Sequence, residues 1–285
     1  MSRTPRVLVA AGLALGVLGL VPAYGVPGPT DPPELTPLTA AKITGERRWD
    51  HTLTASAGTW DPAPTATTYQ WLRDGKAING ANGPTRKLTV ADYGTLIAVK
   101  MRVHRDGYLD ALTTPAAGVI DHRVPVKKVF TYRIATRGHI VASTQEFAAL
   151  AQETYAEAQG WRSAGYAFKR VATGGSFTLV LADADAMTTF GSPCSRTWSC
   201  RSGRNVVINQ TRWLHASPAW NNAGLSLRVY RDMVVNHETG HWLGHPHRGC
   251  GGAGWPAPLM MQQSKGLDGC RFNPFPLPSE RWTTR

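Results

Sequence analysis

The chain has 285 residues, 42% of them hydrophobic and 18% charged, a composition that belongs to a folded protein and excludes a low-complexity one. Its formal charge of +12 and pI near 9.9 raise nucleic acid, an anionic wall polymer or an anionic membrane as partners. The basic residues are scattered and form no Lys/Arg-rich block or nucleic-acid-binding motif, so no nucleic acid is expected, and the charge reads as a solvated surface that an anionic cell-envelope polymer would attract.

Arg3 and Arg6 precede an apolar run from Val7 to Val21, and small residues follow at Ala23 and Gly25. This is the three-part pattern of a secretory signal peptide, placed at residues 1–25. The run is short and rich in glycine and alanine for a membrane span, and no cysteine follows it to take a lipid, which leaves an uncleaved anchor as the minor alternative. No later segment is apolar enough to cross a bilayer. The expectation is a secreted, extracellular monomer, associated with the cell wall if the envelope attraction holds, with no membrane span after signal cleavage.

The remaining chain is long enough for two domains. Residues 26–33 are rich in proline and glycine and read as a tether. From 34 to 120 the texture is of short apolar alternations ("TLTASAGTW", "TTYQWLRDG", "KLTV", "LIAVKMRVH") separated by turn residues, which predicts an all-β sandwich. "YQWLRDGKAI" followed by "KLTVADYGTLIAVKM" resembles the immunoglobulin-like modules of exported bacterial proteins. The resemblance implies that Trp71 is buried between two sheets and that Asp92 and Gly94 form the bend before a central strand. No cysteine pair accompanies Trp71, so packing must join the sheets, and with no convergent catalytic side chains the module reads as a spacer.

A second connector, residues 121–128 ("DHRVPVKK"), leads into residues 129–285, where the periods mix. "KVFTYRI", "FTLVLA" and "NVVINQT" alternate like strands, and "STQEFAALAQETYAEAQ" carries a helical stripe with Ser143 or Thr144 as N-cap. A further helix starts near Ser226, which predicts an α/β (α+β) domain with a helix packed on a sheet. All four cysteines lie here, an even count that in an exported chain reads as disulfides. Of three connectivities, Cys194 with Cys200 and Cys250 with Cys270 each close a local loop.

The last helix carries "NHETGHWLGHPH". Residues four apart share a helical face, so His237 and His241 aim at one point, and Leu227, Tyr230 and Val234 on the same stripe turn that face into the domain. Neutral imidazoles converging there suit Zn2+. Rival third ligands are His245, His247, Asp268 and Glu280. Gly244 accepts a left-handed helix end and Pro246 biases His245 away from helical angles, so the chain turns and returns His247 to the metal. Glu238 points about 100° away from His237 around the helix, towards water on the metal, where it would act as the general acid/base.

His237, Glu238, His241, Gly244 and His247 fall in the order HExxHxxGxxH, which resembles the metzincin metallopeptidase signature. Together with "PLMMQQ", the layout from Lys128 to Glu280 is similar to zincin-like domains of uncharacterised secreted proteins of Gram-positive bacteria; the small secreted neutral proteases of such bacteria carry aspartate where His247 stands. The resemblance implies a secreted zinc metalloendopeptidase acting on protein or peptide substrates. It also implies a methionine-containing turn below the metal, formed by Met260 or Met261. Two departures stand out: Gln262 and Gln263 occupy the place where several metzincins have a tyrosine, and no cysteine is available for a cysteine-switch latency. Two other readings compete: a zinc amidase acting on cell-wall peptides, and a wall-binding or adhesion protein with a structural zinc.

Overall fold

A computed structural model describes residues 31–285. The signal-peptide segment and the first part of the tether lie outside the described residues.

The described chain is α+β and rich in sheet, with several separate sheets. Its first half is built from antiparallel strands alone. The long strands Ala66–Arg73 and Leu96–His104 pair along their length and recruit Lys76–Ala77, Ala111–Thr113 and Ala116–Val119 into a five-stranded sheet. Lys42–Thr44, Thr52–Ser56 and Thr85–Lys87 make a three-stranded one. Strand alternation sends Ile97, Val99, Met101 and Val103 to one side, where they meet Leu53 and Ala55 of the second sheet around the fully buried Trp71.

No cystine joins these sheets; a buried carboxylate does. Asp92, at the end of the short turn Val90–Asp92, accepts hydrogen bonds from Arg73 at 2.7 and 2.9 Å and from Arg86 at 2.9 and 3.0 Å. Arg73 stands on the five-stranded sheet and Arg86 on the three-stranded one. Burial pushes the Asp92 carboxyl up, but the Thr89 backbone N–H and the two guanidinium groups outweigh it and hold the group below the usual carboxylate range.

The second half is organised by a mixed five-stranded sheet in the spatial order Tyr166–Arg170, Lys128–Arg137, Phe177–Ala182, Asn205–Asn209, Cys200–Ser202. The first four run parallel and the edge strand Cys200–Ser202 runs antiparallel to its neighbour. A central parallel strand is covered on both faces, and Phe177–Ala182 is buried at every position. Leu179, Leu181, Val206 and Ile208 point to the helical side, and Val180, Ala182 and Val207 point to a smaller cluster with Met187 and the Cys194–Cys200 disulfide.

Two helices fill the helical side. Thr144–Ala156 starts at Ser143, whose side chain accepts from Glu146 N at 3.1 Å. Leu227–Leu243 starts at Ser226 and lies across the strands Asn205–Asn209 and Cys200–Ser202. The segment between the halves is bonded to both: Asp121 N donates to Arg47 O at 2.7 Å, and the buried His122 reaches Ala158 O at 2.9 Å. Among the described residues no helix is long and apolar enough to cross a membrane.

Candidate metal centre

The helix Leu227–Leu243 delivers its histidines from within the fold. Tyr230, Met233, Val234 and Val235 anchor it in the main core, and nearly all its residues from Tyr230 onward are buried. Its end is abrupt. Gly244 takes φ 108°, a left-handed conformation that favours glycine, while His245 N donates back to Gly240 O at 3.0 Å. The chain reverses there, and His247 comes back to the helix it has just left.

His237, His241 and His247 consequently present ring nitrogens that all lie within 4.8 Å of one another. Exposure grades across the cluster, from buried His237 through half-buried His241 to exposed His247. Two of the rings are oriented by the backbone: His237 Nδ1–H donates to Leu259 O at 2.7 Å, and His241 Nδ1–H donates to His245 O at 2.8 Å. Each bond fixes the tautomer and leaves the Nε2 lone pair free to bind. His241 Nε2 lies 3.0 Å from His247 Nε2. That is hydrogen-bond distance, so without a cation His247 Nε2–H donates to the His241 Nε2 lone pair that a metal would take.

Electrostatics favour neutral rings. Burial, reinforced by the neighbouring imidazoles, pushes His237 down to about 3. Burial likewise takes His241 down to about 4, and His247 is lowered by burial and by Lys265. Neutral imidazole is the form that ligates a metal.

Among the described residues Glu238, 5% exposed, is the one carboxylate lining the cavity beside the cluster. Burial pushes its carboxyl up to about 8, and among the described residues Oε2 has no hydrogen-bond partner. A buried oxygen without a partner costs stability, and unlike the other such atoms of the fold this one belongs to a side chain that lines the cavity, where an incoming group can satisfy it. The cavity holds about 600 Å³ and runs along the helix from Tyr230 and Val234 to His241. The edge strand at Arg201 closes one side of it and Gln262–Lys265 the other.

The other residues singled out from sequence divide clearly. Met260 is the methionine under the helix, packed against Gly240, whereas Met261 belongs to a satellite cluster with Ala257 and Cys270. Gln263 donates to Pro258 O at 3.1 Å and to Asn273 O at 2.7 Å and so locks the turn, while Gln262 is exposed. His245 is not in the cluster: it is buried between Trp161 and Trp282 and its Nε2 bonds Trp282 O at 2.8 Å. Asp268 sits in an exposed turn, and Glu280 is turned to backbone N–H groups. Both disulfides are present, Cys194–Cys200 and Cys250–Cys270, the second clamping the loop between His247 and the methionine turn.

Sequence reasoning missed the edge strand Cys200–Ser202, the strand Tyr166–Arg170 and the helices Gln210–His215 and Pro218–Asn222. The helices had readable signals: Asn209 caps the first through Thr211 N and Arg212 N, and Ser217 followed by Pro218 opens the second.

Fold and site together define an α+β protein with a three-histidine cluster and a buried carboxylate at the mouth of one cavity. Residues 112–278, more than half of the chain, match the family described as Protein of unknown function (DUF3152), and the chain belongs to that family. No curated protein matches it.

Proposed function

We propose that this chain is a secreted, zinc-dependent metalloendopeptidase, with an immunoglobulin-like sandwich at residues 34–120 as its spacer and a zincin-like catalytic domain from residue 129. The observation that carries the reading is the pairing of two features. Three imidazole nitrogens converge with two tautomers already fixed for ligation, and Glu238 stands unpartnered beside them at a cavity. A purely structural site has no use for that carboxylate or that cavity.

His237, His241 and His247 would hold the metal. Bound there, zinc would supply a Lewis acid able to lower the pKa of a water to about 7. As a carboxylate, Glu238 would take the proton of the attacking water and return it to the departing amide nitrogen; burial alone holds its carboxyl at about 8, and a cation held by the histidines would lower it toward the ionised form. The burial that raises this carboxyl also keeps bulk water from competing for it. Among the described residues the strand Cys200–Ser202 pairs only with Asn205–Asn209, so its outer edge can accept an extended peptide as a further strand, which would bring the scissile bond to the histidines.

The deciding experiment is Glu238→Gln in the full chain, with metal content and hydrolysis of casein measured together. One zinc per chain is expected in both proteins, with chelator-sensitive hydrolysis in the wild type and a fall of about 10²- to 10⁴-fold in the variant. Full activity in the variant removes Glu238 from the reaction. A wild type that holds zinc, cleaves muropeptides and leaves casein intact is a wall amidase. One that holds zinc, cleaves neither and binds envelope polymer is an adhesion protein.

A further inference from the structure

The buried residue Glu280 lies 33 residues beyond His247 in the chain, yet its side chain reaches the floor of the histidine cluster. Its Oε2 accepts from Leu259 N at 2.9 Å and from Leu277 N at 2.8 Å, and its Oε1 accepts from Met260 N at 2.9 Å. Three N–H groups converging on one side chain need an acceptor-only group with several lone pairs, which among side chains only a carboxylate offers. An amide would turn its own N–H₂ on one of them.

The Leu259–Met260 peptide, gripped by its N–H, holds the cluster by its carbonyl. Leu259 O accepts the Nδ1–H of His237 at 2.7 Å. One peptide further on, Met260 O accepts from N of Arg248, the residue next to His247, at 3.0 Å. One carboxylate therefore stands behind the carbonyl that sets the His237 tautomer and behind the strand of chain that carries His247. His241 is different, because its Nδ1 bonds His245 O, which Glu280 does not touch.

We propose that Glu280 is a positioning residue for the metal centre: by fixing the Leu259–Met260 peptides it holds His237 in the Nδ1–H tautomer, with Nε2 aimed at the cation, and seats the segment bearing His247. The geometry stands by itself, while the consequence for metal rests on the reading given under Proposed function. Outer partners of this kind contribute about 10- to 100-fold to metal affinity.

Two variants of the full chain test this. Glu280→Gln keeps size and loses acceptor capacity. Glu280→Asp keeps the charge and the nearby Leu277 N–H but falls a methylene short of Leu259 and Met260, and it decides the matter if the glutamine variant does not fold. Zinc affinity is measured by chelator competition, and the ring tautomers of His237 and His241 by nitrogen NMR on zinc-free protein. The expected result is zinc binding weakened about 10- to 100-fold, with His237 losing its fixed tautomer and His241 keeping its own. Wild-type affinity in a folded variant overturns the proposal. So does loss of both tautomers together, which marks general loosening. If the wild type binds no zinc, the metal reading fails, and the tautomer of His237 in the zinc-free variants still decides the brace.

Discussion

A Cβ placed on Gly240 would overlap the sulfur of Met260 and stand 2.9 Å from Trp161 Cζ2, so the helix rests on the methionine through a residue with no side chain. Met260 and Trp161 are both fully buried and have little room to retreat. Between His237 and His241, the helix therefore gives up helical propensity for close approach.

The consequence is a substitution with the opposite sign to the usual one. In a helix interior, glycine to alanine is worth about 1 kcal/mol in favour of folding. At Gly240 overpacking of the core costs about 1–3 kcal/mol, so Gly240→Ala loses about 1 kcal/mol net. Denaturant unfolding of zinc-free protein checks this. A variant more stable than the wild type would mean that Met260 does not support the helix.

The proposed third ligand can be told from its neighbour by metal content. His247 closes the nitrogen cluster, while the ring of His245 is stacked on Trp161 and bonded to Trp282 O. His247→Ala is expected to lose stoichiometric zinc in elemental analysis. His245→Gln is expected to retain one zinc per chain while melting at a lower temperature, because its buried partners are left unsatisfied. The reverse pattern would exchange the two roles.

The helix Leu227–Leu243 and the cluster are legible in the sequence because their causes are local. Ser226 caps the start, Gly244 ends it with a left-handed residue, and histidines four apart share a face whatever the rest of the chain does. The strand Cys200–Ser202 is not legible in this way: three residues at a sheet edge owe their conformation to Asn205–Asn209, not to an alternation of their own. Trp71 and the bend at Asp92 can be read as core and turn, but the arginines that meet Asp92 come from strands 19 and 6 residues away, and no spacing rule links them. Glu280 is the extreme case. Its partners are backbone N–H groups, which leave no mark on sequence at all.

The two disulfides close loops of different length and so differ in what they contribute. Cys250–Cys270 spans 20 residues and Cys194–Cys200 spans 6. Loop-closure entropy assigns about 3.3 kcal/mol to the longer and about 2.2 kcal/mol to the shorter. Replacing both members of each pair by serine should therefore destabilise the chain more at 250 and 270, with a second effect there alone. That loop joins His247 to the methionine turn, so zinc affinity should fall together with stability. Equal losses and unchanged affinity would separate the loop from the centre.

His122 offers a test by pH away from the metal. It is 2% exposed, wedged edge-on between Trp49 at 5.3 Å and Tyr93 at 5.4 Å, with Nε2–H donating to Ala158 O and Nδ1 accepting from Val124 N. Burial lowers its pKa, outweighing the carbonyls of Ala158 and Val124 that face the ring nitrogens, and the guanidinium groups of Arg162 and Arg123 add to the effect. A depressed folded-state pKa means that the unfolded chain takes up the proton first as pH falls through the ordinary value of 6.5. The stability His122 contributes is thus fully present above pH 6.5 and is lost progressively below it. The other buried histidines act in the same direction, so the comparison must isolate this one. Wild type and His122→Gln are unfolded in denaturant across the acid range, both without zinc, and the difference between them is followed. That difference should shrink as pH falls below 6.5, because only the wild type loses the contribution. A difference constant with pH would show that His122 titrates alike in both states and is not held neutral at the junction of the two halves.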